Sequence, residues 1–167
     1  MAKQRALLVS GLLRIARGLE GVIEAVCAGD VNLANDQWPA ELSQSDRLKA
    51  ANQATPGRIP AQLSEGAPRQ FQEALQEEGL EQCPEYDVFT SIKMRTLFQA
   101  QAKAADDLAL GHKDVVIMRT GGRLRVLETL VGGRTPLKKQ VTNLDVLTPS
   151  REWPGDHFVT LCTAVLQ

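Results

Sequence analysis

Two β-rich runs meet across a pair of glycines between Lys113 and Val131, and this stretch limits the fold more than any other. The first run is Lys-Asp-Val-Val-Ile-Met-Arg, the turn is Thr120-Gly121-Gly122, and the second run is Arg-Leu-Arg-Val-Leu-Glu-Thr-Leu. Adjacent glycines supply the positive φ that tight turns require, so the expectation is a β-hairpin with strands near 114–119 and 123–130. Asp114 stands near the start of the first strand and Glu128 near the end of the second. A second glycine pair follows, and then Thr135-Pro136. Threonine is a good N-cap and proline suits a first helical position, so a short helix is expected over about 136–145.

The rest of the chain divides around this hairpin. Residues 3–28 read as a helix, because Leu8, Leu12, Ile15, Leu19, Val22 and Val26 alternate steps of four and three. That heptad spacing keeps one seam against a partner helix, here read as intramolecular packing with a dimer coil as the alternative. Gly29 is the expected stop. Residues 30–66 are punctuated by Trp38-Pro39, Pro56-Gly57, Pro60 and Gly66, with one short helix near 41–53, and read as a surface arm or partner-binding loop. A helix over about 67–79 has Pro68 in its first turn. Tyr86, Val88, Thr90, Ile92 and Met94 alternate like a strand, yet the Ala-, Gln- and Lys-rich run behind them favours a helix over about 88–110, with an extended start over 86–94 as the alternative. Phe158 to Leu166 is apolar at alternate and intervening positions, as expected of a strand covered on both faces. The expectation is an α+β domain over 1–167: a helical N-terminal half with an irregular arm (1–64), then a core (65–167). That core would carry the hairpin, the short helix and the final strand in a small mixed sheet.

Composition excludes some functions and leaves others open. Net charge is −1, which removes the simplest argument for a nucleic-acid binder, but the charge is unevenly spread. Residues 65–87 carry seven acids and one base, Arg69, for a net −6. Residues 113–139 carry seven bases (Lys113, Arg119, Arg123, Arg125, Arg134, Lys138, Lys139) against Asp114 and Glu128, for a net +5. Opposite poles of this kind can steer an anionic partner or join copies head to tail. Cys27, Cys83 and Cys162 show no paired spacing, which argues for a reducing compartment. The N-terminal apolar run is interrupted by Arg14 and Arg17, and no run approaches the ~18 residues a membrane span needs. The chain therefore reads as a protein of the cytoplasm, or of a virion formed there, with no membrane partner.

Metal-dependent phosphodiester cleavage needs carboxylates converging on a hard cation. Asp114, Glu128 and, on the following helix, Gln140 fall in an order that resembles the core of restriction-endonuclease-like proteins. The likeness is particularly to Holliday-junction resolvases and virus-type replication-repair nucleases, and it covers about residues 95–166. It implies Asp114 and Glu128 as ligands of Mg²⁺ and Gln140 as the third site residue. The family's motif lysine falls two residues after Glu128, where this chain has Leu130.

Other chemistries lack their residues. His112 and His157 offer no two-histidine zinc spacing, and there is neither a Gly-x-Ser-x-Gly elbow nor a Walker-type phosphate loop. The basic segment holds no aromatic residue on which bases could stack. No cofactor is assigned outside the nuclease reading. The expectation is therefore a structural, assembly or interaction subunit of a larger complex, a viral particle included. Its contact surfaces would be the basic hairpin (Arg119, Arg123, Arg125, Arg134, Lys138, Lys139) and the acidic helix, through protein partners or self-association. The same basic segment could meet nucleic acid. The alternative is a nuclease-like DNA-processing protein, with or without surviving catalysis.

Overall fold

The computed structural model describes residues 1–34, 66–88, 90–95, 107–131, 157 and 159–167. Within them the fold is α+β, with two helices and six strands: α1 (Ala2–Arg17), β1 (Cys27–Ala34), α2 (Ala67–Glu77), β2 (Leu80–Cys83), β3 (Ser91–Arg95), β4 (Asp107–Arg119), β5 (Leu124–Val131) and β6 (Thr160–Leu166). The expected helices at 41–53 and 136–145 lie outside the described residues, as do Arg134, Lys138, Lys139 and Gln140. All the strand pairings are antiparallel rather than mixed.

The centre of the fold is β4, thirteen residues long. One of its edges pairs with β1 from Cys27↔Ile117 to Ala34↔Gly111. The other takes β2 at Leu80↔Arg119 to Cys83↔Val116 and then β3 at Ser91↔Gly111 to Arg95↔Asp107. Gly111 is shared by β1 and β3, which places those two strands on opposite sides of β4. Residues 88–110 are thus not one helix. The alternation through Thr90, Ile92 and Met94 expressed a strand, and pairing with β4 overrides the helix propensity of Ala109 and Leu110.

The glycine turn forms where expected, with Gly121 at φ +64°, but its two strands do not pair with each other. Both edges of β4 near Arg119 are already occupied by β1 and β2, so β5 has no free edge to return to. It pairs instead with β6, in register from Leu124↔Leu166 to Val131↔Thr160, as a separate two-stranded sheet. A Cβ at 122 would stand 2.6 Å from Glu24 Oε2, so a side chain there would displace that carboxylate from its hydrogen bonds.

The core lies between the two helices and one face of the four-stranded sheet. Ala2, Ala6, Val9 and Leu13 of α1 meet Phe71, Ala74 and Leu75 of α2, over Leu33, Leu80, Val115 and Ile117. Steps of four, three and four put the α1 residues on one helix face, and the two alanines let α2 approach closely. Helix α2 begins with proline in its first turn, as the sequence implies. Helix α1 stops at Arg17 rather than near 28, because Gly18 and Gly21 (φ +79°) turn the chain towards β1. The heptad seam faces away from the core. Leu8, Leu12, Ile15 and Leu19 are all more than half exposed, so that seam is not an intramolecular contact among the described residues.

Candidate functional site

Asp114 sits at an irregularity in the sheet. On β1, Val31 and Asn32 together oppose the single residue Lys113, forming a bulge between the pairs Asp30↔Asp114 and Leu33↔His112. Asn32 takes φ +47°, and its N–H donates to Asp30 Oδ1. Bulges re-aim side chains, and this one leaves Asp30 directly across from Asp114. On the other edge the gap between β2 and β3 is filled by Thr90. Its fully buried hydroxyl accepts from the N–H groups of Lys113 and Asp114, both at 2.9 Å. The backbone of Asp114 is therefore fixed from both sides.

His157 comes to the same place from the lead-in to β6, through an isolated bridge to Ser91. Its Nδ1 lies 2.9 Å from Asp114 Oδ2, and the Asp114 side chain is 22% exposed. One ligand atom each from Asp30, Asp114 and His157 all lie within 4.8 Å of one another. Burial pushes the Asp114 carboxyl above its ordinary value, with His157 opposing that shift and Asp30 adding to it. Two carboxylates and an imidazole at this spacing could hold a divalent cation.

Two of the nuclease-type residues, Asp114 and Glu128, fall in different sheets. Asp114 is in β4 of the larger sheet, whereas Glu128 is an exposed residue of β5, paired with Thr163 of β6. Glu128 does not belong to the group around Asp114. A sequence reading confined to the glycine-linked strands had no signal for Asp30 or His157, because a bulge and a long-range bridge bring them in.

The basic residues form a second candidate. Arg17, Arg119 and Arg123 line a cleft of about 470 Å³ together with Val22, Ile23, Glu24, Gly121, Gly122 and Gln167. Glu24 is the only acidic side chain among the described residues that line it. The two oxygens of that carboxylate accept from the N–H groups of Ala25 and Arg123, each at 3.1 Å. Arg123 Nε donates to Gln167 O and Arg17 Nε to Leu13 O, so each guanidinium is aimed through a carbonyl. None of the three arginines has a side-chain carboxylate partner in an ion pair among the described residues. Arg125 is exposed on β5, paired with Val165. Arg17 was missing from the sequence reading because it belongs to α1, far from the basic segment.

Two further groupings are structural. His112 is fully buried, with Nδ1 2.7 Å from Val88 O and Nε2 3.1 Å from Gln82 Nε2. Donation from Nδ1 and acceptance at Nε2 make it a neutral imidazole, and burial lowers its pKa. Cys83 and Cys162 come into contact between the two sheets beside Thr129, and burial raises the Cys83 thiol.

Among the described residues no helix is long and apolar enough to cross a membrane. No protein-family model, no curated protein and no solved structure matches the chain.

Proposed function

We propose that this chain is a non-enzymatic assembly or interaction subunit of a larger complex, such as a viral particle. In this reading its basic cleft receives the acidic 65–87 segment of a second copy. The observation that carries it is the cleft where Arg17, Arg119 and Arg123 gather beside exposed Val22 and Ile23, with no side-chain carboxylate paired to any of the three among the described residues. Cations gathered around a concave, partly apolar wall are complementary to an acidic protein surface, and the chain itself carries one, at net −6. Part of that acidic surface is used internally, since Glu77 pairs with Lys3 and Glu78 accepts from Ser10. The exposed apolar seam of α1 extends the area available for burial between copies.

Size-exclusion chromatography with light scattering, run across a salt series, tests this. A discrete oligomer is expected at low salt, dissociating as the charges are screened. The double variant Arg119→Glu/Arg123→Glu is expected to be monomeric at low salt. A monomer under all conditions, or an oligomer indifferent to both salt and charge reversal, would overturn the proposal.

A second reading, nuclease-like DNA processing with Mg²⁺, is favoured by one observation: the company of Asp114 with Asp30 and His157. It predicts Mg²⁺-dependent cleavage of branched DNA that disappears in Asp114→Ala. Glu128 and Gln140 would then be tested by the same assay.

A further inference from the structure

We propose that Asp30, Asp114 and His157 form a binding site for a divalent transition-metal ion that ties the lead-in of β6 to the β1–β4 pair. The inference is independent of the assembly reading, and it requires no catalysis.

The first support is geometric. Three donors from segments far apart in sequence converge within 4.8 Å, and one of their contacts, Nδ1 to Oδ2, is 2.9 Å. Donors about 2.0–2.2 Å from a tetrahedral zinc lie roughly 3.3–3.6 Å from one another, so the 2.9 Å contact would open slightly while the wider spacings close.

The second support is electrostatic. Asp30 and Asp114 are direct register partners, and like charges placed opposite each other destabilise a strand pair. Neither carboxylate has a lysine or arginine partner among the described residues. Even a charged imidazolium at His157 would supply only one positive charge against two carboxylates. A divalent ion neutralises both carboxylates at once.

The third support is the framework. Thr90 and the 31–32 bulge hold the Asp114 and Asp30 backbones from opposite edges, so two of the donors are fixed before any ion arrives. Two oxygens and one nitrogen suit Zn²⁺, Mn²⁺ or Co²⁺ better than Ca²⁺, which prefers oxygen donors throughout. Three protein ligands leave at least one position for water or for a group from a partner.

The test is calorimetric titration of the full chain with ZnCl₂ and MnCl₂, paired with melting curves in metal and in chelator. One ion per chain is expected, with a melting temperature raised by metal and restored by chelator. Asp30→Asn and His157→Gln are expected to weaken binding by roughly tenfold or more, the scale on which metal sites respond to loss of supporting groups. Asp30 is exposed, so Asp30→Asn leaves the core intact, and circular dichroism checks that it does. Glu128→Gln serves as a control with unchanged binding. Absence of binding at millimolar metal, or binding that Asp30→Asn and His157→Gln leave untouched, would overturn the site. Binding without DNA cleavage would uphold it while removing the nuclease reading. Oligomeric state is read separately, so failure of the assembly proposal would not be mistaken for failure of this one.

Discussion

The four-stranded sheet and the β5–β6 ribbon are built from similar residues and spend them differently. In the sheet, Leu33, Leu80, Val115 and Ile117 are at most 2% exposed, beneath two helices. In the ribbon, Leu127, Leu130, Leu161 and Leu166 are at least half exposed. The ribbon is not evenly exposed, because Val126, Thr129, Val131 and Cys162 are half-buried on one face. The other face presents Arg125 beside Val165 and Leu130 beside Leu161. Alternation makes a strand; whether its apolar residues become core depends on what else is available to cover them.

The comparison is broken most sharply by truncating each region. Phe71 is fully buried between α1 and the sheet, so Phe71→Ala is expected to cost about 3–5 kcal/mol. Leu13→Ala, on the buried face of α1, is expected to cost about 2–5 kcal/mol. Leu130→Ala in the ribbon is expected to stay within about 0.5 kcal/mol. Urea denaturation followed by circular dichroism measures all three. A large loss at Leu130 would mean that the ribbon is part of the cooperative core.

The next effect is polar. Thr90→Val keeps the shape of the side chain but leaves the N–H groups of Lys113 and Asp114 without their shared acceptor. The expected cost is about 1–3 kcal/mol for each donor left unsatisfied. If denaturation shows no loss, the gap between β2 and β3 is wet rather than sealed by this hydroxyl.

These positions also indicate what could be read from the residues in advance. Local features were legible: the Pro68 helix start, the Gly121 turn, the strand alternation on either side of it, and the final strand. Their pairings were not. A hairpin signal describes a turn and two flanking strands, and it says nothing about whether the first strand's edges are already taken, as β1 and β2 take those of β4. The helix expected over 88–110 failed for the same reason, because non-local pairing outweighed weak propensity. Asp114 was legible as a candidate ligand, but its neighbours depend on register. Asp30 arrives through a bulge in a strand that the heptad pattern had partly assigned to a helix.

Acid should also separate the two regions. His112 is buried as a neutral imidazole in the sheet, with a pKa below its ordinary value of 6.5, whereas the ribbon contains no histidine. The unfolded chain therefore takes up this proton first, so the stability it contributes is complete above about pH 6.5 and declines as pH falls towards the folded pKa. In His112→Gln the slope over that window is expected to vanish. Asp114, raised mainly by burial, acts in the opposite sense and lower, above its ordinary 3.8, where protonation favours the folded form. Denaturation midpoints from pH 7 down to about pH 5 are expected to carry the histidine slope first.

The smallest expected effect bears most directly on assembly. Leu12 and Leu13 are neighbours on α1, one 53% exposed and the other 3%. In a monomer, Leu12→Gln removes no packed contact and should alter stability by no more than about 0.5 kcal/mol, since glutamine is as good a helix former as leucine. In an oligomer the same substitution wets a buried seam, and the loss then grows with protein concentration because association and folding are linked. Melting curves of the wild type and of Leu12→Gln over a hundredfold range of concentration separate the two cases. A difference that widens with concentration would show that the outer face of α1 is covered in the assembled state. A constant, near-zero difference would leave the arginine cleft to carry the association without it.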